Sequence, residues 1–529
     1  MRPELHDDRN ARARQEGGSQ DSTQTVAAQA VSMSSTALDR ALVRGVLWTS
    51  GGRYVVQAFT WASSLVVARI LSPADYGVAG VAWLYVGLAQ MLAELGIGTV
   101  IVQKRAMSED TARSLATLSV AVSAILAAFS VPIGMLMARF YAEPALTAVV
   151  IVYGLNLLVS GIRSVPTSLL SKQLDFGGIT KITVVEGLCA GATSVTLGWL
   201  GFGVWALVLA NVAGNIIATG LVLAHRPCWP LLRGWTSEAR SAASVGRRVL
   251  TARLAWYAYS NADFAIVGRL LGTVQLGYYT LGWQLATLPS DRLTAAFTQV
   301  MFPVAAAAQD TPGAAKRYFL KCLEALVFLL LPISLGGAIL ANEAVVTVLG
   351  SKWEPAAPVL AVLLLTVPLR VTGALANQVI LAQGNATFAM KKNLWALFLM
   401  PPAFVVGAQY GIIGVALVWL LAFPLVVALP SFLRIGQVLE LGMAGVWAHC
   451  SPYVYSSALT AAALFAIKSM LAGSSSGAVL GVGLGVGLVS YLCPLVLGWP
   501  ERVGGFLNAA HRAVRPELSP VKIGANSGT

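Results

Sequence analysis

"VARILSPADYG" at residues 67–77 and "VGRLLGTVQLG" at residues 267–277 share the skeleton Val-x-Arg-x-Leu-x5-Gly at an offset of 200 residues. The match extends on both sides without a gap. Arg53 meets Arg253, Ala58 meets Ala258, Trp83 meets Trp283 and Leu88 meets Leu288. Coincidences among Ala, Val and Leu are common in apolar sequence, so the paired Arg and Trp residues carry the weight. Each phrase reads as the end of one apolar helix, a turn, and the start of the next. Arg69 and Arg269 stand where a cation meets the negative end of a helix and the lipid headgroups. Gly77 and Gly277 permit a close helix approach. The competing reading is that the two phrases are merely similar turns on one face of a membrane.

The membrane itself follows from composition. Of 529 residues, 57% are hydrophobic and 11% are charged, whereas soluble domains carry about 25% charged residues. Apolar runs recur between residues 42 and 499. The fold class is an all-α polytopic membrane protein. Cys189, Cys228, Cys322, Cys450 and Cys493 are scattered, with no C-x2-C pair and no Cys/His cluster. Neither a disulfide framework nor a metal site is expected. No cleavable signal peptide is read at the start. Residues 1–40 are polar and mixed in charge, and read as a disordered cytoplasmic tail.

About fourteen stretches reach the roughly 20 apolar residues that a crossing needs. They lie near 44–71, 76–102, 113–138, 145–170, 180–200, 203–224, 247–271, 275–305, 317–341, 356–383, 388–408, 411–433, 447–471 and 477–499. With the N-terminus in the cytoplasm, the inner loops collect most of the basic residues, including Lys104, Arg105, Lys172, Arg226, Arg233 and the pair Lys391 and Lys392. The opposite face holds Arg69, Arg139, Arg269 and Lys352. This is a positive-inside bias, with both termini cytoplasmic. It accounts for the net charge of +13 without nucleic acid as a partner.

An even number of crossings separates the two copies of the repeat, so both enter the membrane from the same side. The expected organisation is an N-terminal six-helix bundle (41–225), a cytoplasmic linker (226–246), a C-terminal six-helix bundle (247–434), two further helices (435–499) and a cytoplasmic tail (500–529). The bundles are parallel repeats about an axis along the membrane normal, as in transporters with two halves around a central site. The linker carries Trp229, Pro230 and Trp235, and reads as an amphipathic segment on the inner surface.

The stretch "LVVARILSPADYGVAGVAWLYVGLAQMLAELGIGTVIVQKR" (65–105) resembles the start of the Wzx-like oligosaccharide flippases of the multidrug/oligosaccharidyl-lipid/polysaccharide exporter superfamily. The likeness lies in the Ala68–Gly77 turn, in Glu94-Leu-Gly-x-Gly98 and in the basic segment Val102–Arg105. The second-half phrase Leu270–Gly277, followed by Tyr278-Tyr279, and "QGNATFAMKKN" (383–393) are similar to the family as well. The resemblance implies two bundles around a V-shaped, water-accessible central cavity with two appended helices. It implies a polyprenyl-diphosphate-linked oligosaccharide as substrate, moved to the outer leaflet of the bacterial cytoplasmic (inner) membrane for exopolysaccharide or lipopolysaccharide biosynthesis. Membrane lipids, a polysaccharide polymerase and chain-length machinery are the partners it implies.

A diphosphate calls for cations, and ionisable groups inside spans are costly unless they face a cavity or a partner. Arg370, near the middle of its span, is the foremost candidate. Arg53 opens a polar row with Gln57, Thr60 and Ser64, and Arg253 opens a comparable row with Tyr257 and Ser260. A symmetric pair of cations would suit a diphosphate, and snorkelling to the headgroups suits the same positions equally. Arg163 lies closer to the inner end of its span, and Lys468 reads as an outer anchor. Arg292 follows Asp291 in "LPSDRL", where Pro289 offers a helix break; the pair reads as a gate or as a salt bridge that steadies the break. Asp263 reads as a counter-charge for a cavity Arg or as a site for a coupling H+ or Na+, on a face directed at span one. Glu94 is a second acid of this kind, or only part of a helix packing motif. Tyr257 and Trp283 are candidate sugar-stacking rings.

No nucleophile triad, phosphate-cradling Gly loop or sizeable outer loop is present in the sequence, so an enzyme is not expected. No cofactor is expected beyond an H+ or Na+ gradient. The alternative function is a cation-coupled multidrug exporter of the same superfamily, against which the deep arginines count, because they repel cationic drugs.

Overall fold

The computed structural model describes residues 57–94, 98, 101, 108–173, 175–230, 254–307, 313–383, 385–502 and 504. Among these residues there are helices and turns but no strand. A chain in lipid must satisfy every backbone N–H and C=O internally, and helices do so.

The first half comprises α1 (57–70), α2 (Pro73–Glu94), α3 (Glu109–Tyr141), α4 (Ala145–Lys172), α5 (Phe176–Trp199) and α6 (Val204–His225). The second comprises α7 (254–260), α8 (Ala262–Leu270), α9 (Thr273–Ala307), α10 (Ala314–Ile339), the short α11 (Ala341–Leu349), a 3-10 turn (Ser351–Ala356), α12 (Ala357–Ala382), α13 (Ala386–Ala408), α14 (Gly411–Phe423) and α15 (Leu429–Val438). Helices α16 (Met443–Met470) and α17 (Ser476–Gly498) follow. Ten helical segments among the described residues are long and apolar enough to cross a membrane, so this is a multi-pass membrane protein. Helix starts are set by local capping: Ser108 Oγ accepts from the Thr111 N–H at 3.2 Å, and Asp175 Oδ1 from the Gly178 N–H at 2.8 Å.

Two helices depart from the simplest span. Residues 254–270 bend at Asn261, whose side-chain amide donates to the Tyr257 carbonyl at 3.0 Å. Between α14 and α15, residues Pro424–Ala428 form a π-helical turn, a distortion often found where a helix borders a site. The break expected at Pro289 is absent: α9 is helical throughout Thr273–Ala307. A proline in a membrane helix removes one hydrogen bond without ending the helix when its neighbours support it.

The halves meet where α2 crosses α9, at the repeated glycines. A Cβ on Gly77 would overlap the Thr273 carbonyl, and a Cβ on Gly277 would overlap the Pro73 carbonyl. Gly80 faces the Thr280 hydroxyl, which would lie 2.6 Å from a Cβ. Contacts 77 to 273, 277 to 73 and 80 to 280 are reciprocal at the offset of 200. Further along, the Tyr257 hydroxyl crosses the seam and donates to the Leu84 carbonyl at 2.8 Å, in space that Gly87 leaves open.

One end of the seam is sealed by the segment Ser351–Ala356. Trp353 is fully buried, edge-on to Tyr76 of the first half (5.3 Å) and Tyr278 of the second (6.0 Å). Its indole N–H donates to the Ala68 carbonyl at 2.7 Å. Lys352 Nζ donates to the carbonyls of Arg69 (2.7 Å) and Leu71 (2.8 Å). The last turn of α1 thus receives the donors that a helix C-terminus lacks. Arg69 and Arg269, expected at this end, are both exposed; Arg269 lies over the Phe140 ring at 5.1 Å.

Helices α16 and α17 pack together and α16 packs on α10. Glu324 of α10 accepts from Tyr453 of α16 at 2.7 Å and from Arg502 at 3.2 Å. Lys468, read as an anchor, pairs with Glu343 of α11 at 2.9 Å.

Candidate functional site

A cavity of about 690 Å³ opens within the second half, between α7, α9, α12, α13 and α14. Trp353 stands at the start of α12, and the cavity faces the second half of that helix, through Arg370, Gly373, Ala374 and Asn377. These positions fall on one helix face by their spacing. Gly373 has nothing within 4 Å of where a Cβ would stand, so between Arg370 and Asn377 this wall carries no side chain at position 373 and only a methyl group at Ala374.

Arg370 rests on two rings. Its guanidinium carbon lies 4.4 Å from the Trp283 ring centre and 5.4 Å from that of Trp419, within the range of cation–π attraction. The two tryptophans are themselves 5.2 Å apart and tilted by 56°. Behind them lies Asp263, with no exposed surface. Its Oδ2 accepts from the Tyr279 hydroxyl at 2.6 Å and from the Trp419 indole N–H at 2.8 Å. Asp263 Oδ1 has no hydrogen-bond partner among the described residues. A buried carboxylate is costly alone, and two donors with a nearby guanidinium charge offset that cost. The expectation that Asp263 faces span one is corrected: its partners lie on α9 and α14, inside its own half.

The second cation of the cavity is Lys392. Read from the sequence as an inner-loop charge, it sits in α13 with 8% of its surface exposed. Its Nζ bonds Asn377 Oδ1 at 3.2 Å and Ser431 Oγ at 3.1 Å. Ser431 in turn donates to the Val427 carbonyl, in the π-helical turn, at 2.8 Å. Lys391, its neighbour in sequence, is exposed. Consecutive helical residues point about 100° apart, so one lysine faces out and the other into the bundle. Trp419 also escaped the sequence reading, because nothing in "GIIGVALVWLLAF" separates it from packing residues. Ser260, Asn261, Thr287, Ser290 and Asn393 supply neutral hydrogen-bonding groups to the rim.

The other expected site residues fall as follows. Trp283 lines the cavity, whereas Tyr257 lies in the seam. Arg163 pairs with Glu186 across α4 and α5 at 2.9 Å, in the first half and away from the cavity. Beside that pair, Asn215 of α6 donates to Asn156 Oδ1 (2.8 Å) and Ser160 Oγ (2.9 Å), and Asn156 donates to Asn211 Oδ1 (3.0 Å). Arg53 and Arg253 lie outside the described residues, as do most of the linker and both tails. Glu94 ends α2 and Asp291 and Arg292 lie on α9, with side chains outside the description.

A multi-pass helical membrane protein with a basic, tryptophan-walled cavity has relatives. A family model described as "Polysaccharide biosynthesis protein" matches residues 66–358, and the chain belongs to that family. It is 24% identical to the lipopolysaccharide biosynthesis protein WzxC of Escherichia coli (strain K12), over 75% of this chain and 81% of the relative. It is 22% identical to the teichuronic acid biosynthesis protein TuaB of Bacillus subtilis (strain 168), over 88% and 97%. Among solved structures it is similar to the lipid II flippase MurJ in an inward closed conformation, with a TM-score of 0.69 and 10% identity over 86% of this chain and all of that one. It is also similar to an inward-facing multidrug resistance MATE family transporter of the MOP superfamily, with a TM-score of 0.57 and 16% identity over 73% and 95%. Both likenesses bear on the fold.

Proposed function

We propose that the protein is a flippase that carries polyprenyl-diphosphate-linked oligosaccharide repeat units across the bacterial cytoplasmic membrane, for exopolysaccharide or lipopolysaccharide assembly. The observation that carries this reading is the cavity with two cations, two tryptophan faces and a rim of Asn, Ser and Thr. An anionic head group needs the cations, and sugars need stacking faces and neutral hydrogen-bonding groups. The family membership supports the pathway, and relatives named for lipopolysaccharide and teichuronic acid biosynthesis support the glycan.

The architecture that suits this work is fourteen crossings: two six-helix bundles about an axis along the membrane normal, with α16 and α17 appended and both termini cytoplasmic. The reciprocal glycine contacts support the axis. The sealed end at Trp353 faces outward, and the cavity takes its cargo from the inner leaflet. The bundles then rock about the glycine seam, the seal parts, and the head group crosses while the polyprenyl tail stays in lipid. Two cations in the cavity weigh against a cationic-drug exporter.

The test is complementation. In cells lacking the protein, the wild type restores surface polysaccharide, whereas a doubly substituted Arg370→Gln/Lys392→Gln protein at equal membrane abundance does not. Full restoration by that variant would remove the cavity from the account.

A further inference from the structure

The end of α1 is held by two consecutive residues of the other half. Leu71 donates its N–H to the Val67 carbonyl at 2.9 Å, and the carbonyls of residues 68–71 form a helix end that lacks donors of its own. Trp353 takes the first of them, Ala68, at 2.7 Å. Lys352 Nζ takes Arg69, Ile70 and Leu71 at 2.7, 3.3 and 2.8 Å. An ammonium has three N–H donors, so all of them serve this one helix end, which carries about half a negative charge. Asp75, whose charge also acts on Lys352, is bonded instead by the Ser72 N–H (2.9 Å) and hydroxyl (2.6 Å).

The matching turn of the first half lacks this device. "YAEPA" (141–145) leads into α4 as "KWEPA" (352–356) leads into α12, so Tyr141 and Ala142 stand where Lys352 and Trp353 stand. Tyr141 sets its ring against Gly268 of α8, 3.0 Å from where a Cβ would be. The neighbouring contact across the seam is Arg269 over the Phe140 ring. A ring and an exposed cation–π contact thus replace four hydrogen bonds.

We propose that Lys352 is an electrostatic latch, built on one side of the seam only, whose charge holds the outer end shut until the bundles rock. The inference rests on the alternating-access part of the flippase reading and names the residue that sets the balance between its two states. Parting the seal separates the ammonium from the negative helix end, and the charge attraction is lost together with the hydrogen bonds. Methionine at this position would keep the length of the side chain and lose both.

The test uses the full chain in lipid nanodiscs, where an impermeant maleimide reaches both faces, with the five native cysteines replaced. Thr280→Cys, at a buried position, reports the sealed end. Gly373→Cys, where a side chain has open space, reports the cavity. Lys352→Met is expected to speed labelling at position 280 about tenfold, the lower end for hydrogen bonds to a charged group, and not to speed it at position 373. Lys352→Arg, which keeps the charge, should stay within about twofold of wild type at position 280. Arg269→Met should shift that rate less than Lys352→Met does. Unchanged labelling at position 280 in Lys352→Met overturns the latch, and so does faster labelling at both positions, the mark of a loosened fold. If Lys352→Arg labels as fast as Lys352→Met, the charge is not what holds the end. An equal shift in Arg269→Met removes the one-sidedness. Trp353→Ala separates this inference from the reading beneath it. If that variant also leaves position 280 unchanged, the seal itself fails, whereas a response to Trp353→Ala without one to Lys352→Met defeats the latch alone.

Discussion

Gly77 and Gly277 are each other's packing surface: a Cβ on Gly277 would come within 3.2 Å of the Gly77 nitrogen and would overlap the carbonyl of Pro73. The two glycines that match at the offset of 200 in the sequence are thus residues at which α2 and α9 touch. Close approach of two backbones is a common way for helices to associate in lipid, where no hydrophobic force separates them from the solvent.

Alanine at either glycine should therefore push α2 and α9 apart. Gly77→Ala or Gly277→Ala is expected to cost about 1–3 kcal/mol, the usual range for overpacking. Gly481→Ala, where nothing stands within 4 Å, should be neutral or mildly stabilising. Thermal unfolding of the detergent-solubilised protein measures all three. Equal midpoints would mean that the seam is looser than described.

The seal at Trp353 predicts a change in access. Trp353→Ala removes a fully buried indole and its hydrogen bond to Ala68, at a cost of about 3–5 kcal/mol to the closed arrangement. A cysteine placed at the buried Thr280, in a protein with its five native cysteines replaced, should resist an impermeant maleimide in the wild-type background. It should react several-fold faster when Trp353→Ala is added. An unchanged rate would show that Trp353 does not close that end.

Tyr279 and Trp419 together hold Asp263. Tyr279→Phe leaves the ring in place and removes one of the two donors to a buried carboxylate, so a loss of about 1.5–3 kcal/mol is expected, the range for hydrogen bonds to charged groups. Asp263→Leu strands both donors and should cost at least as much. Denaturant unfolding checks the order, and a neutral Tyr279→Phe would contradict the geometry.

In the first half, the Asn156–Asn215 network should matter more than the ion pair beside it. Asn215→Leu is expected to cost about 1–3 kcal/mol, because Asn156 and Ser160 lose a buried donor. The Arg163–Glu186 pair, with side chains 28% and 30% exposed, should give a coupling energy below about 1 kcal/mol in a double-mutant cycle. A larger coupling than the Asn215→Leu loss would reverse the ranking.

Helix ends such as those of α3, α4, α12 and α17, among the described residues, were legible because apolar runs and their punctuating Pro, Gly and Ser residues obey a local rule. The contact of α2 with α9 falls on residues that match at the offset of 200, such as Gly77 and Gly277. The cavity was legible only in part. Arg370 stood out as a charge deep in an apolar run. Lys392 did not, because "MKKN" at the start of a span looks like loop and only the helical rotation between adjacent residues sends one lysine inward. Asp263 was visible as a buried acid, but its partners lie 16 and 156 residues away, and no periodicity reports such distances. Pro289 misled in the other direction, since its effect on a helix depends on the neighbours packed around it.

The central claim is transfer between leaflets, and it is read most directly in cells from which the protein has been deleted. Lipid-linked glycan on the outer leaflet is labelled with an impermeant glycan probe, and the total pool is quantified after lysis. The account predicts accumulation of unlabelled, inner-leaflet glycan in the deletion, relieved by the wild type and not by Arg370→Gln/Lys392→Gln. Outer-leaflet labelling that is unchanged by the deletion would contradict it.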